Sequence, residues 1–297
     1  MVTFKQLEAI YWVVQAGGFS QAARKLHTTQ SAISKRVHEL ETLFDTLLFD
    51  RAQRTARLTE KGEEMFMLAK RLLEQRDASV EQFGRPDVVE RRLRIGITEL
   101  TAMTWLPKLV NQIHLHYPKV VIEPDVDMSI NLREKLLADD IELMIVPDAY
   151  PDPHFASKPV GKVENVWMCK PGLIDSNRTI PLHELATYRL LADKSGTGML
   201  YDRWFKSNGF QSPEIITSNS IVALIGMAVS GLGISYFPKH CLSQMNAMGM
   251  LKPLDVTPGL PDVTYVATYK SELRSSLIAS IVELAQECCD FRVMLQT

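Results

Sequence analysis

The sequence predicts an α/β protein in three parts: a small helical head bearing a wing, one long linker helix, and a larger body of two α/β lobes. The first observation behind this is charge. Residues 1–58 hold eight Lys and Arg against five Asp and Glu, and the rest of the chain holds 25 against 30, so a total of −2 conceals +3 at the front and −5 behind it. The second is period. Apolar residues recur at helical steps as far as Phe83, and beyond Arg91 short β-rich runs alternate with helical patterns. The third is size. A chain of 297 residues, 46% hydrophobic and 23% charged, supports at least two cores and is neither collagenous, low-complexity nor wholly disordered.

In the head, Phe4, Leu7, Ile10 and Val14 repeat at three- and four-residue steps and give one apolar helical face, ended by Gly17-Gly18. Ser20 is the expected N-cap of a short second helix, Ser20 to Leu26, whose Ala22, Ala23 and Leu26 allow close packing. His27-Thr28-Thr29 forms a tight turn, and Thr28 or Thr29 caps a third helix from about Gln30. Its inward face is read as Ile33, Val37, Leu40 and Phe44, and its outward stripe as Gln30, Ser31, Ser34, Lys35 and His38. Two short helices joined by a three-residue turn, the second with a polar and basic outer stripe, describe a helix-turn-helix. The stripe suits a DNA major groove: Gln pairs bidentately with adenine, Lys reaches guanine, and Ser serves a base edge or a phosphate. The run Leu47 to Leu58 reads as two short strands round a basic tip, a wing that brings Arg51, Arg54 or Arg57 to a phosphate or the minor groove. A plain three-helix unit with a solvated face is the alternative reading.

Thr59 is expected to cap a helix running to about Phe83, stopped by Gly84 and Pro86. Phe66, Ala69, Leu73, Arg76, Val80 and Phe83 fall at coiled-coil spacing with one polar interruption. A 58-residue head is too small to cover that seam, so pairing of two linker helices is expected. Packing on the chain's own body is the alternative. A dimer pairs two recognition helices and implies a two-fold-symmetric DNA site.

The body reads as strand–helix units: Arg92–Ile97, Val120–Val126, Ile141–Val146, Val163–Cys169, Arg189–Ala192, Ile215–Thr217, Ile234–Phe237 and Val263–Tyr269 as strands, and Ser271 as cap of the final helix. This pattern indicates parallel α/β units in two lobes, with crossovers near Pro159–Lys162 and Tyr265–Thr268, resembling periplasmic binding proteins. In open α/β sheets ligands sit beyond the carboxyl ends of strands, at helix N-termini. The junctions bring Thr98, Thr101, Ser129, Ser195-Gly196-Thr197-Gly198 and Asn219-Ser220 to one cleft, where hydroxyls and backbone N–H groups suit a small ligand without a large charge. Each of these residues taken singly also reads as a helix cap. Glu99 or Asp148 near the cleft would favour a cationic or zwitterionic ligand over a bare dicarboxylate.

Residues 4–62 resemble the N-terminal domain of LysR-type transcriptional regulators. The matching stretches are Phe19-Ser20-Gln21-Ala22-Ala23-Arg24-Lys25-Leu26, Thr29-Gln30-Ser31-Ala32-Ile33-Ser34, His38-Glu39-Leu40-Glu41, Leu48-Phe49 to Arg51, Arg54, Leu58-Thr59 and Gly62. Ser31 stands where many relatives have proline. Length and layout match along the whole chain, the C-terminal part more loosely. The resemblance implies DNA contacts at Gln30, Ser31, Ser34 and Lys35 with Arg54 on the wing, and an effector cleft at Thr98, Thr101, Ser129, Ser195 and Asn219. The expected domains are a winged helix-turn-helix over 1–58, a linker (dimerisation) helix over 59–86, and an effector-binding domain over 91–297. Within that domain lobe I takes 91–160 and 267–297, and lobe II takes 161–266.

Other classes receive little support. The start MVTFKQLEAIYWVV lacks the features of a signal peptide, and the uncharged run from Ile215 to Pro238 is too polar at its start and too glycine-rich near its end for a membrane span. A cytoplasmic protein with no membrane partner is expected. Cys169, Cys241, Cys288 and Cys289 have neither zinc nor disulfide spacing, and His114 and His116 are two apart where a helical metal pair wants four. His27, His154, His183 and His240 have no visible partner, and no GxSxG, P-loop, GxGxxG or HExxH motif occurs. The reading is a sequence-specific DNA-binding regulator, a homo-oligomer (dimer or tetramer), controlled by a small amine- or carboxylate-bearing effector, with no catalytic residue, metal or cofactor. A solute-binding or enzymatic body fused to a winged head, and a nucleoid-type structural protein, are the rivals.

Overall fold

Thr3 opens helix α1 (Phe4–Gln15) with a capping box: its hydroxyl accepts from Gln6 N while the Gln6 side chain accepts from Thr3 N. In this computed structural model the described residues are 1–50, 57–83, 90–271, 275–294 and 296, the side chains at 74, 78 and 80–83 excepted. The chain forms two compact units, Met1–Gly84 and Arg85–Thr297.

In the first unit α1 buries Leu7, Ala9, Ile10 and Val13. The expected face is shifted at its ends: Phe4 is 48% exposed, and Val13 is fully buried while Val14 packs against the core only partly buried. Helix α2 (Phe19–Lys25) starts from Gly18, not Ser20, and buries Ala22 and Ala23. His27 takes the left-handed conformation in the turn, and Thr29 caps α3 (Gln30–Phe44), its Oγ1 accepting from Ala32 N at 3.2 Å. Ile33, Val37 and Leu40 are buried, whereas Phe44, expected inside, is 47% exposed beside the left-handed Asp45 that ends the helix. The wing stem is present as an antiparallel bridge between Phe49 and Leu58, and Arg51 and Arg54 lie outside the described residues.

Thr59 starts α4 (Glu60–Phe83), accepting from Gly62 N and donating to Leu47 O. A Cβ at Gly62 would stand 2.0 Å from Leu48 O, so only glycine lets α4 approach the strand so closely. The structure corrects the reading of this helix. Ala69 and Leu73 are buried in the head's own core, Phe66 stacks on Tyr11, and Arg76 pairs with Glu8 at 2.6 Å and lies over the Phe4 ring. The first four residues of the expected seam therefore serve α1, and the side chains of Val80 and Phe83 lie outside the described residues.

The second unit runs β1 (Arg91–Ile97), α5 (Glu99–Met103), α6 (Leu106–His116), β2 (Val120–Val126), α7 (Ser129–Leu137), β3 (Leu143–Pro147) and β4 (Phe155–Val163). It continues with β5 (Asn165–Cys169), β6 (Ile180–Pro181), α8 (Leu182–Leu185), β7 (Leu190–Asp193), α9 (Gly196–Ser207), β8 (Ile215–Ser218), α10 (Ile221–Val229) and β9 (Ser235–Pro238). Last come α11 (Ser243–Ala247), β10 (Lys252–Pro253), β11 (Val256–Thr257), β12 (Val263–Lys270) and α12 (Ser276–Cys288). A five-stranded sheet has the order β2-β1-β3-β12-β4. β1 is parallel to β2 and β3, but β12 runs antiparallel to β3 and β4, so the sheet is mixed where parallel units were expected. The last strand of the chain thus returns to the first sheet. Beyond Val163 the chain builds a second set of strands, with β5 antiparallel to β9 and β10, and β7 parallel to β8. Ser275, not Ser271, caps α12, accepting from Ile278 N.

Burial explains the layers. α6 and α12 pack against one another, placing Leu109, Ile113, Ile278 and Val282 in the main core, while α7 closes a smaller cluster with Leu132 and Leu136. An aromatic cluster of Trp167, Tyr201, Phe205, Phe210 and Tyr236 fixes α9 to the second set of strands. The uncharged run from Ile215 to Pro238 is divided among β8, α10 and β9, and no described helix is long and apolar enough to cross a membrane.

Candidate functional site

Two sites follow from this architecture, one in each unit. On the first unit α3 exposes Gln30, Ser31, Ser34, Lys35 and His38 as one stripe, because Ile33, Val37 and Leu40 hold the opposite face in the core. Ser20, freed from capping, donates from Oγ to Gln30 Oε1 at 2.7 Å and fixes the amide's orientation. Ser31 Oγ lies 3.0 Å from Thr29 Oγ1. Lys25 stands over the Trp12 ring at 4.9 Å, so this cation is held by α1. The helix start, its polar stripe and the wing stem meet the chemical needs of groove reading.

On the second unit a cavity of about 260 Å3 opens between the two sets of strands. Strand-to-helix junctions of both supply its walls: Thr98, Glu99 and Leu100 after β1, Asp127 and Met128 after β2, Asp193, Ser195 and Thr197 after β7, and Asn219, Ser220 and Ile221 after β8. Tyr236 and Tyr265 add aromatic surface. Thr98, Ser195, Thr197, Asn219 and Ser220 of the expected junctions are thus brought together, and Glu99 lies beside them. Thr101 and Ser129 are fully buried and do not line the cavity, and Asp148 is exposed elsewhere. Thr101 supports the wall indirectly, its hydroxyl lying 3.4 Å from that of Thr98, which in turn donates to Tyr265 Oη at 3.4 Å.

The electrostatics differ from the expected set of open hydroxyls and amides. Three of the helices that start at the cavity, α7, α9 and α10, already have a carboxylate of the chain itself at their N-termini. Asp127 accepts from Met128 N at 2.8 Å and Asn131 Nδ2 at 2.7 Å at the start of α7. Asp193 accepts from Ser195 N at 2.8 Å, from Gly198 N at 3.3 Å and from the Ser195 hydroxyl at the start of α9. Glu99, borne on α5, reaches across to α10, accepting from Ser220 Oγ at 3.0 Å and Ile221 N at 2.6 Å. The loop Ser195-Gly196-Thr197-Gly198 is therefore occupied by the Asp193 carboxylate. A Cβ at Gly198 would meet Asp193 O at 1.8 Å, which explains that glycine. Burial pushes the Asp193 carboxyl above its usual range, opposed by its hydrogen bonds, and the nearby Glu99 charge pushes it the same way as burial. Lys135 bonds Asp127 at 3.0 Å and, with Asn131 and the Met128 amide, outweighs burial to lower that carboxyl.

Sequence reasoning passed over Asp127, Asp193, Tyr236 and Tyr265. The two aspartates carry a signal, since each stands just before a helix start, where an acceptor is favoured. The tyrosines are separated from the other wall residues in sequence, and only the tertiary fold collects them. Other groups with chemical potential are inert by environment. Burial raises the thiols of Cys169 and Cys241 to about 11 and that of Cys289 to about 12, and the cysteines are all free. His154 bonds Asp152 at 2.8 Å and His240 faces Glu164 at 3.4 Å, which corrects the expectation that these histidines lack partners. Among the described residues no His, Cys, Asp and Glu group is arranged to hold a metal ion.

A helix-turn-helix unit joined to a two-lobed α/β unit with a cavity between its strand sets defines a class of DNA-binding regulators. Two family profiles place the chain within that class: the bacterial regulatory helix-turn-helix protein, lysR family, matches residues 4–63, and the LysR substrate binding domain matches residues 86–290. The chain belongs to the LysR family of transcriptional regulators. It is 24% identical over 270 residues to the HTH-type transcriptional regulator SoxR of Arthrobacter sp., covering 90% of this chain and 91% of that one. It is 25% identical over 295 residues to MetR of Escherichia coli, covering 98% and 92%. Among solved structures, a full-length OxyR variant from Pseudomonas aeruginosa superposes with a TM-score of 0.68 at 21% identity, covering 100% of this chain and 99% of that one. Full-length BenM superposes with a TM-score of 0.59 at 20% identity, covering 96% of each.

Proposed function

We propose that this regulator is sequence-specific and is controlled by a small-molecule effector held in the cavity between two α/β lobes. The observation that carries the reading is the cavity itself, whose walls come from strand-to-helix junctions of both strand sets and which Glu99 already spans. A ligand there touches both sets at once, and so has differential affinity for their arrangements. A useful switch needs a few kcal/mol between the two states, and the linker helix would carry the bias to the head. The domains are read as 1–58 for the winged head, 59–86 for the linker and 91–297 for the effector body, with lobe I over 91–160 and 267–297 and lobe II over 161–266. Gln30, Ser31, Ser34 and Lys35 are assigned to DNA, with Arg51 and Arg54 of the wing; Thr98, Glu99, Ser195 and Asn219 are assigned to the effector. Thr101 and Ser129 are better read as support than as contact. The protein acts as a cytoplasmic homo-oligomer, dimer or tetramer, and performs no catalysis.

The test couples the two sites. Metabolites that raise the melting temperature of the full chain are added to a footprint of that chain on its DNA. At least one such metabolite is expected to change the footprint's extent or the bend. Binding without any change in DNA contacts, or turnover of the bound compound, contradicts the reading.

A further inference from the structure

The charge of the cavity wall specifies more than the presence of a ligand. Among the described residues three carboxylates, Glu99, Asp127 and Asp193, line it, and no Lys, Arg or His does. Asp127 has Lys135 as its counter-charge, whereas no ion pair forms at Glu99 or Asp193 among the described residues. An anionic ligand in such a fold normally binds the free N–H groups at helix starts. Here the amides of Met128, Ser195, Gly198 and Ile221 are already taken by carboxylates of the chain, so an incoming carboxylate or phosphate meets like charge at the starts of α7, α9 and α10.

Glu99 and Asp193 retain acceptor capacity. An ionised carboxylate offers about four lone-pair sites. Glu99 spends one on Ser220 and one on Ile221, and Asp193 spends three, two on Ser195 and one on Gly198. Beside hydroxyl and amide side chains the wall has an apolar and aromatic part, with Leu100, Leu224, Tyr236 and Tyr265 able to receive a hydrocarbon stem. The volume, about 260 Å3, falls just below the range of drug-sized ligand pockets, roughly 300–1,000 Å3, and suits a small ligand.

We propose that the cavity selects a small ligand through a cationic group, an ammonium, amidinium or guanidinium, seated against Glu99 and Asp193, with its hydrocarbon part on the tyrosine wall. This rests on the reading of the cavity as the effector site and narrows it to one ligand chemistry. Glu99 contributes twice, since it also joins α5 to α10, so a cation drawn to its carboxylate acts directly on the contact that spans the cavity. Burial and, to a smaller extent, the Glu99 charge hold the Asp193 carboxyl high, and a ligand cation beside it favours the ionised form.

Three four-carbon probes of matched size separate the chemistries: 1,4-diaminobutane, succinate and 1,4-butanediol, each titrated against the melting temperature of the full chain. A saturable rise is expected with the diamine and not with the diacid or diol. Glu99→Gln is expected to weaken the diamine at least about tenfold, the size of one lost charged hydrogen bond. Asn219→Asp, which adds a carboxylate at an exposed position of the wall, is expected to strengthen it and keeps the test valid should Glu99→Gln fold poorly. A saturable rise with succinate, a diamine response unchanged in both variants, or no diamine response overturns the proposal. If succinate binds and Asn219→Trp, which crowds the cavity, abolishes that binding, the effector reading survives and only the charge assignment fails. If every response persists in Asn219→Trp, the effector reading fails with it.

Discussion

Carboxylates at three positions take the place that a bound anion occupies at a helix start. Asp127, Asp193 and Glu99 each satisfy orphan N–H groups of the helix they face, and the last does so from a different strand set. A fourth acid, Asp152, fastens the loop before β4. It accepts from the backbone and ring of His154 and pairs with Arg133 of α7, and these contacts hold its carboxyl at about 2, below the ordinary 3.8. Because the folded value is depressed, the contribution of this group is fully present above the unfolded value and is lost as pH falls through about 2. A carbon-detected NMR titration is expected to place the Asp152 carboxyl midpoint well below 3.8, and a midpoint at 3.8 or above contradicts the assigned contacts.

At the scale of elements, the junction between α4 and the wing is the tightest constraint in the head. Gly62→Ala puts a methyl 2.0 Å from Leu48 O, against backbone that the Phe49–Leu58 bridge holds. Overpacking of this kind costs about 1–3 kcal/mol, and the melting of the head is expected to fall accordingly. An unchanged melting temperature would mean that α4 and the wing are not packed as described. Period revealed most of the elements but not their phase. Phe4 and Val14 match a helical repeat as well as Val13 does, and only packing against α4 decides between them. The seam on α4 was legible as a stripe, yet spacing does not say what covers it, and Tyr11 and Glu8 of α1 take positions expected for a second chain. Strand direction was likewise hidden, because a β-rich run is equally hydrophobic whether its neighbour is parallel or antiparallel, and β12 pairs far back along the chain.

For the molecule as a whole, Thr98, Ser195, Thr197, Asn219 and Ser220, all at strand-to-helix junctions, line one cavity because the parallel strands of an α/β unit deliver their following loops to the same edge. Thr101 and Ser129 sit one turn further into their helices or face inward, a difference of orientation that residue type does not reveal. The division of charge, +3 over residues 1–58 and −5 beyond, matches a head built for phosphate and a body whose cavity is acid-lined. The central claim is that α3 reads bases, and selection of bound duplexes from random DNA by the full chain tests it most directly. A two-fold-symmetric motif is expected, and with Gln30→Ala a loss of about 1–3 kcal/mol of discrimination at one position in each half-site, the other positions unchanged. Enrichment of no motif, or an equal loss of binding across all sequences in the variant, would contradict it.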